Sequence, residues 1–248
     1  MKLRIANWNI ERPQMGQTKK VDALETRMRK VDADIWILTE SNRNVTPVPG
    51  YYSQHSGQPD RPSTQGEVWC SIWARTELED LNAYISDPAR CTAARLQHPT
   101  IGGIIVYGLV LPWHTDNWQG RPNKEGVAFT EALKLYQSDW RRLTAKFPDD
   151  LLIVAGDFNQ NVTDGHYYGS ALRRERLQQA MDEDGLRILT SYESDPISRD
   201  SPGYACIDHI CVSQEQDLKL AKTERWPDAP KPDKTLSDHF GVSVTLER

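Results

Sequence analysis

The stretch LLIVAGDFNQ, residues 151–160, places an acid and an amide directly after an apolar run, at Asp157 and Asn159. The side chains of a strand alternate between its two faces, so residues two apart point the same way. The two polar groups are therefore expected side by side at the end of a buried strand. Burying an unpaired carboxylate is expensive, so Asp157 must be hydrogen-bonded, metal-bound or exposed at a rim.

The same pattern recurs in at least five apolar runs of the chain. The other polar residues that end, begin or interrupt such runs are Asn9, Glu11, Glu40, His114, Asp208, Asp238 and His239. If the strand ends meet, these groups form one site. Carboxylate and amide oxygens suit a hard ion such as Mg²⁺ or Mn²⁺, and no Cys/His cluster favours zinc. An ion, an acid that activates water and a histidine are the requirements of metal-assisted phosphoester hydrolysis.

The elements that must position these residues alternate between strand and helix patterns. Apolar and β-branched runs predict strands at 3–10, 34–40, 67–75, 78–85, 94–97, 101–114, 151–157, 204–213 and 239–247. Apolar residues at three- and four-residue spacing predict helices at 21–31, 129–147 and 170–184. The proline-rich segment 41–66 is predicted to be an extended loop. This order predicts a layered α/β architecture with helices outside the sheets.

Composition limits the class of protein. The 248 residues are 38% hydrophobic and 26% charged, which predicts a single globular domain over 1–248. The net charge of −5 argues against wholesale attraction to nucleic acid or membrane but leaves room for a local basic groove. No apolar run has the length of a signal-peptide core or a membrane span, which favours the cytoplasm. The four cysteines show no CxxC spacing and are expected to be reduced thiols in the core.

Six motifs in order resemble those of the endonuclease/exonuclease/phosphatase superfamily, whose members are metal-dependent phosphoesterases. They are WNIE at 8–11, DIWILTES at 34–41, GLVLPWH at 108–114, GDFNQ at 156–160, IDHI at 207–210 and SDHF at 237–240. Each motif alone is weak, but together they span positions 8–240. The resemblance implies a four-layer α/β sandwich of the DNase I type, with two mixed β-sheets packed face to face and helices on the outer faces. It also implies Mg²⁺ as cofactor, with Mn²⁺ as the alternative.

The resemblance implies a metal site at the ends of the first two strands. Glu40 matches the family's main metal ligand, and Asn9 matches the residue that helps to hold the metal and its waters. Glu11 falls where relatives often carry a further acidic ligand, although it is equally consistent with a surface acid. Asp238 is placed to touch the metal.

The resemblance also assigns the catalytic groups. Asp157 matches the residue that activates or positions the attacking water, and Asn159 the residue that holds the phosphate or the nucleophile. Asp208 and His239 resemble a pair in which the acid fixes the imidazole tautomer and the ring contacts phosphoryl oxygens. His114 matches a position that is histidine in DNase-like and phosphatase-like members and tyrosine in abasic-site endonucleases, which disfavours abasic-site repair.

Two further histidine environments can be predicted. Glu67 precedes a strand and, by the resemblance, could orient His114 in a second acid and histidine pair. His209 adjoins Asp208, but strand alternation turns it away from the site, so a structural role is expected.

Substrate contacts are expected from the loops over the sheet rim. The segment after His114 combines Trp118 with Arg121 and Lys124, a mixture typical of nucleotide or nucleic-acid contacts. Tyr167 lies just beyond the GDFNQ motif and is a further candidate. An ordinary polar surface loop explains both segments equally well.

These observations predict a metal-dependent phosphodiesterase that acts on nucleic acid. The alternative is a phosphatase or phosphodiesterase for a small phosphorylated molecule: a nucleotide, sugar, inositol phosphate or lipid head group. A third hypothesis, a binding module without turnover, is disfavoured because the presumed catalytic residues are retained together.

Overall fold

The protein is described by a computed structural model that covers residues 2–14, 16–59, 62–165, 167–214 and 218–247. The strands are β1 Lys2–Asn9, β2 Ile35–Asn42, β3 Tyr52–His55, β4 Glu67–Ala74, β5 Glu79–Asp80, β6 Thr92–His98, β7 Gly102–Val110, β8 Asn117–Trp118, β9 Arg121–Pro122, β10 Leu151–Asp157, β11 Leu186–Ile188, β12 Asp208–Ser213, β13 Lys219–Trp226 and β14 Gly241–Glu247. The α-helices are α1 Thr18–Val31, α2 Val127–Lys146 and α3 Ala171–Glu183.

Two mixed six-stranded sheets organise the chain. The first sheet has the order β13-β14-β1-β2-β4-β3, and the second has the order β11-β12-β10-β7-β6-β5. Parallel pairing joins β1 to β2 and β7 to β10, while the other neighbours are antiparallel. The first sheet combines the early strands of the chain with the last two, and the second sheet is built from the middle.

A buried apolar layer separates the two sheets. Ile37 and Ile72 of the first sheet belong to the same core cluster as Val106 and Ile153 of the second. These side chains come from alternate positions of their strands, as expected for one face of each sheet. The sheets therefore pack face to face.

The opposite faces of both sheets are covered by helices. Trp36 and Leu38 of β2 pack in one cluster with Leu24 and Met28 of α1. On the other side, α2 and α3 contribute to a cluster with β7 and β10. Both faces of the central strands are thus buried, which explains why runs such as DIWIL are apolar at consecutive positions. The predicted four-layer α/β sandwich is confirmed.

The structure corrects two stretches of the predicted secondary structure. The segment 41–66 is not an unbroken loop, because β3 pairs with β4 along the edge of the first sheet. The run 78–85 forms only the two-residue β5 and a 3₁₀ turn. The edge strand β13 was not predicted from the sequence, since its residues are mostly exposed or partly exposed and show no apolar run.

All four cysteines are free and fully buried. Burial raises the pKa of each thiol, Cys70, Cys91, Cys206 and Cys211, which keeps them protonated. The prediction that the cysteines lie in the core is confirmed. Among the helices that the structure describes, none has the length and apolar character needed to cross a membrane.

Candidate active site

Strand pairing brings the predicted residues together at one edge of the two sheets. Asn9 ends β1 and lies in register with Thr39 of the parallel β2, so Glu40 follows at the same end. In the second sheet, Asp157 ends β10 directly opposite Asp208, the first residue of the antiparallel β12. The carboxyl ends of β1, β2 and β10 and the start of β12 therefore meet here.

The turn before β14 is fixed to the end of β1. The Ser237 hydroxyl donates to the carbonyl of Asn9 at 2.7 Å and accepts the backbone N–H of His239 at 3.0 Å. His239 is thereby held over the second sheet, where its Nδ1 lies 2.7 Å from Asp208 Oδ2. The predicted acid and histidine pair is present.

Asp157 is held by two hydrogen bonds in a buried position. Its carboxylate accepts the Asn159 backbone N–H at 2.8 Å and the Asn9 side-chain amide at 3.2 Å. Asn159 adopts a positive φ of 49°, and its side chain donates to the Leu111 carbonyl at 3.0 Å. This left-handed backbone turns the chain sharply after β10, and residues held in such conformations concentrate at functional sites.

The buried charges shift two pKa values. Burial and the neighbouring charge of Asp208 raise the pKa of Asp157 to about 7. Burial alone would lower the pKa of His239, but the Asp208 carboxylate outweighs it and raises that pKa to about 10. At neutral pH the site therefore contains an imidazolium beside a carboxyl group that takes up and releases a proton.

The donor set fits a hard divalent ion. Polar atoms of Asp157, Asp208 and His239 lie within 4.8 Å of one another, and because the His239 ring is protonated at neutral pH the two carboxylates are the donors of this group. Asp208 Oδ1 is buried and has no hydrogen-bond partner among the described residues. The cost of removing this oxygen from water is therefore not offset by a hydrogen bond, and a bound ion would offset it. The charge of Glu40 also acts on Asp157 and contributes to its raised pKa. Buried carboxylate oxygens of this kind suit such an ion.

Arg12 forms an ion pair with Glu40, a contact that was not predicted from the sequence. Its Nε is 2.8 Å from Glu40 Oε2, and its guanidinium lies over the Trp69 ring, 4.9 Å from the centroid. Arg12 and Glu40 both have positive φ, at 44° each, and the Arg12 N–H donates to the Glu40 carbonyl at 2.7 Å. The position of Arg12 in the WNIER stretch was the available signal, since it follows Asn9 by only three residues.

The two other predicted metal ligands lie further out. Glu11 is exposed and forms an ion pair with Lys20 at 3.2 Å, as a surface acid does. Asp238 is also exposed, and its Oδ1 lies 3.9 Å from His239 Nε2. Asp238 is therefore at the rim of the site, whereas Glu11 points to a helix.

The expected pairing of Glu67 with His114 is absent from the described part of the chain. The Glu67 carboxylate accepts hydrogen bonds from the backbone and hydroxyl of Ser63, both at 2.6 Å, and lies 4.0 Å from Arg12. His114 is exposed, and its Nδ1 lies 3.4 Å from the Tyr168 hydroxyl. The Glu67 carboxylate is therefore hydrogen-bonded within the loop before β4 and does not pair with His114.

The expectation that Trp118 faces a substrate is wrong. Its side chain is 3% exposed, and its indole N–H donates to Asp87 at 2.7 Å in the core beneath α2. Arg121 lies over this ring at 5.8 Å, and both Arg121 and Lys124 are exposed. Their role in binding substrate stays a prediction.

Tyr167 lies beside the acid and histidine pair. It lines a cleft of about 130 Å³ together with the polar residues Asp208, Asp238 and His239, and with Tyr168, Ile197, Ala205, Ile207 and Phe240. The walls of this cleft thus combine apolar and charged side chains.

His209 plays the structural role that strand alternation predicts. The ring is fully buried, with Nε2 at 2.9 Å from the Gln160 carbonyl and Nδ1 at 3.0 Å from the Thr190 hydroxyl. Burial lowers the pKa of His209, so the neutral ring is favoured.

Comparison with known proteins supports the same architecture. The sequence model of the Endonuclease/Exonuclease/phosphatase family matches residues 6–239. No curated protein matches the chain in sequence.

Three similar solved structures share the fold at low sequence identity. The endonuclease domain of TRAS1, a telomere-specific non-LTR retrotransposon, is 18% identical with a TM-score of 0.63, over 100% of this chain and 99% of that one. The 3′ phosphatase NExo from Neisseria, bound to a product DNA hairpin, is 18% identical with a TM-score of 0.66, over 99% and 100%. The human Nocturnin catalytic domain with bound sulfate is 14% identical with a TM-score of 0.65, over 99% and 94%.

The family match covers nearly the whole chain and coincides with the strand ends that carry the site. The chain belongs to the endonuclease/exonuclease/phosphatase family of hydrolytic phosphoesterases, which typically depend on a divalent metal.

Proposed function

We propose that the protein is a Mg²⁺-dependent phosphodiesterase that cleaves nucleic acid. The observation that carries this proposal is the arrangement around Asp157. The buried Asp157 carboxyl group ends β10 opposite Asp208, which fixes His239 at 2.7 Å. A proton acceptor and a cation are thus placed within one group of neighbouring side chains, as hydrolysis of a phosphate ester requires.

Asp157 is suited to remove a proton from the attacking water. A general base works best when its pKa lies near the working pH, and in the metal-free protein burial and the charge of Asp208 raise the pKa of Asp157 to about 7. Asn9 and Asn159 fix the carboxylate through the hydrogen bonds at 3.2 and 2.8 Å. The remaining lone pairs are left for the water.

His239 is suited to hold a phosphoryl oxygen. Asp208 keeps the imidazole charged and fixes Nδ1, so Nε2–H is free to donate to the substrate. The positive charge is in place before the reaction begins, so little reorganisation is needed as charge develops on the phosphoryl oxygens.

Glu40 and Asn9 would hold the ion at the ends of β1 and β2. When bound, a divalent ion neutralises the phosphate and stabilises the departing oxygen. Asn9 would help to hold the ion and would also position Asp157, to which its amide nitrogen donates. Mg²⁺ is favoured because the donors are carboxylate and amide oxygens, and Mn²⁺ is the alternative.

A polynucleotide is the favoured substrate because the site lies at an open sheet edge. His114, Arg121 and Lys124 are all exposed in the segment between β7 and α2. Two structurally similar proteins were solved with DNA, namely Neisseria NExo with a product hairpin and zebrafish TDP2 with a single-stranded product. This similarity motivates the choice of substrate for the first assay.

A small phosphorylated molecule is the second candidate. The cleft of about 130 Å³ beside His239 is large enough for one small organic group. A monoester whose single substituent fills this cleft would need no further contact with the loops.

Nicking of supercoiled plasmid by the purified protein tests the proposal. We expect nicking in Mg²⁺, none with EDTA, and none from Asp157→Ala in Mg²⁺. The exposed Asp182 supplies the matched control, because Asp182→Ala removes a carboxylate from the outer helix α3 and should nick normally. Absence of nicking by the wild type, together with release of phosphate from small monoesters, would replace the nuclease by the second candidate.

A further inference from the structure

Two tryptophans beside the site differ from the others in being partly exposed. The sequence has eight tryptophans. Six are buried, at positions 8, 36, 73, 118, 140 and 226. Trp69 and Trp113 are the two that stay partly exposed, and their ring centroids are 5.9 Å apart with planes inclined by 39°. We call this pair, with the Arg12 guanidinium, the tryptophan platform.

A buried ion pair supports the tryptophan platform. The Arg90 guanidinium lies 5.1 Å from the Trp69 centroid and 5.4 Å from the Trp113 centroid, and Arg90 is only 9% exposed. Its two terminal nitrogens donate to Asp116 at 2.5 and 3.1 Å. Desolvating such a pair is expensive, so its net contribution to stability is small. Its clear effect is to fix the positions of both rings.

The tryptophan platform adjoins the proposed metal site. Across β2 and β4, Thr39 pairs with Cys70 and Ser41 with Val68, which places Trp69 opposite Glu40. Arg12 links the two, with its Nε at 2.8 Å from Glu40 and its guanidinium over Trp69 at 4.9 Å. Trp113 directly precedes the exposed His114. A group bound on the platform is therefore next to a phosphate bound at the strand ends.

We propose that the tryptophan platform binds, by stacking, an unpaired nucleobase next to the scissile phosphate. This inference rests on the proposed function and adds a base-recognition subsite to it. Flat, partly exposed rings and a guanidinium plane are the surfaces on which splayed bases stack. Every base has a π-face, so the subsite selects single-stranded or unpaired nucleotides with little preference among bases.

The test compares two single-stranded ten-residue oligonucleotides, one with bases and one with the same sugar–phosphate chain lacking every base. Their affinities are measured by fluorescence anisotropy in EDTA, so that neither is hydrolysed. We expect Trp113→Ala to weaken binding of the base-bearing strand about 10-fold, the effect typical of one stacked base. Affinity for the base-free strand should stay unchanged.

Three variants separate stacking from structural damage. Trp69→Ala should show the same selective loss of affinity for the base-bearing strand. Trp113→Phe should keep most of that affinity, because an aromatic face remains. Tyr52→Ala is the matched control, since Tyr52 is a 50% exposed aromatic on β3 of the same sheet. Equal loss on both strands, or no loss from either tryptophan variant, would overturn the inference.

Failure of the nuclease proposal can be told apart from failure of the tryptophan platform. If the wild type does not nick plasmid, the same variants are titrated with a nucleoside 5′-monophosphate and with ribose 5-phosphate. A loss of affinity confined to the nucleotide keeps the base subsite on a small-molecule enzyme. Equal affinity of wild type and Trp113→Ala for the nucleotide rejects it.

Discussion

Asp157→Asn should stabilise the metal-free protein at pH 8 while abolishing hydrolysis. The pKa of Asp157 is about 7 in the folded chain, above the ordinary value of 3.8. The folded state therefore holds this proton more tightly than the unfolded state. Its stabilising contribution is complete below pH 3.8 and is lost as pH rises through 7. Asparagine carries no charge, so the variant does not undergo this loss.

The size of the effect follows from the two pKa values. Each pH unit between them changes the free energy of unfolding by about 1.4 kcal/mol. Between pH 5 and pH 8 the advantage of Asp157→Asn over wild type should grow by about 2 to 3 kcal/mol. The amide can still accept the Asn159 N–H, but its NH₂ then faces the Asn9 amide, which costs about 1 to 3 kcal/mol at every pH. The increase with pH in the stability difference between Asp157→Asn and wild type is therefore the quantity that tests the reasoning.

The assay is urea unfolding in EDTA at pH 5, 6, 7 and 8, with wild type and variant side by side. Asp182→Asn is the matched control, because it makes the same change at an exposed carboxylate on α3. Its difference in stability from wild type should not change between pH 5 and pH 8. A difference between Asp157→Asn and wild type that does not change with pH would refute the assigned burial and charge environment of Asp157.

Three further outcomes are expected. Glu40→Gln should weaken metal binding, measured by titration calorimetry, and raised Mg²⁺ should recover its activity; unchanged metal dependence would contradict the role of Glu40. His239→Ala should lower kcat by about 10² to 10⁴-fold with metal affinity intact, and a metal titration that shifts as much as the rate would show the role to be wrong. Gly156→Ala should lower the free energy of unfolding, measured in urea, by at least about 2 kcal/mol. The reason is that Gly156 has a φ of +146° and that an added Cβ would lie 1.9 Å from the Leu109 carbonyl oxygen. A variant as stable as wild type would mean that β10 and β7 can separate at this position.

The fold could be predicted where both faces of a strand are buried. The apolar runs at β2, β7 and β10 are continuous because each strand packs against the other sheet and a helix. Edge strands lack this signal, since β3 and β13 gain their structure from backbone pairing with a neighbour. Their side chains remain largely in water, so their composition resembles that of a loop.

The site could be predicted where its residues lie in motifs at strand ends. Asp157, Asp208 and His239 converge as expected. Trp118 could not be distinguished from Trp113 by composition, because both lie in one polar loop. In the structure Trp118 packs in the core beneath α2 and donates to Asp87, 31 residues earlier in the chain, and neither partner is visible in the local sequence. The closeness of Trp69 to the site depends on the register of β2 and β4, which no local pattern specifies.

The division of the site between the sheets bears on the timing of activity during synthesis. Asp157 and Asp208 belong to the second sheet, while His239 is held by a turn tied to Asn9 at the end of β1. The strand β14, which follows that turn, pairs with β1 across more than 200 residues of chain. A growing polypeptide therefore contains Asp157 and Asp208 before His239 is made. The three side chains can come together only after β14 has been made and has paired with β1, so the site is among the last parts of the fold to be completed.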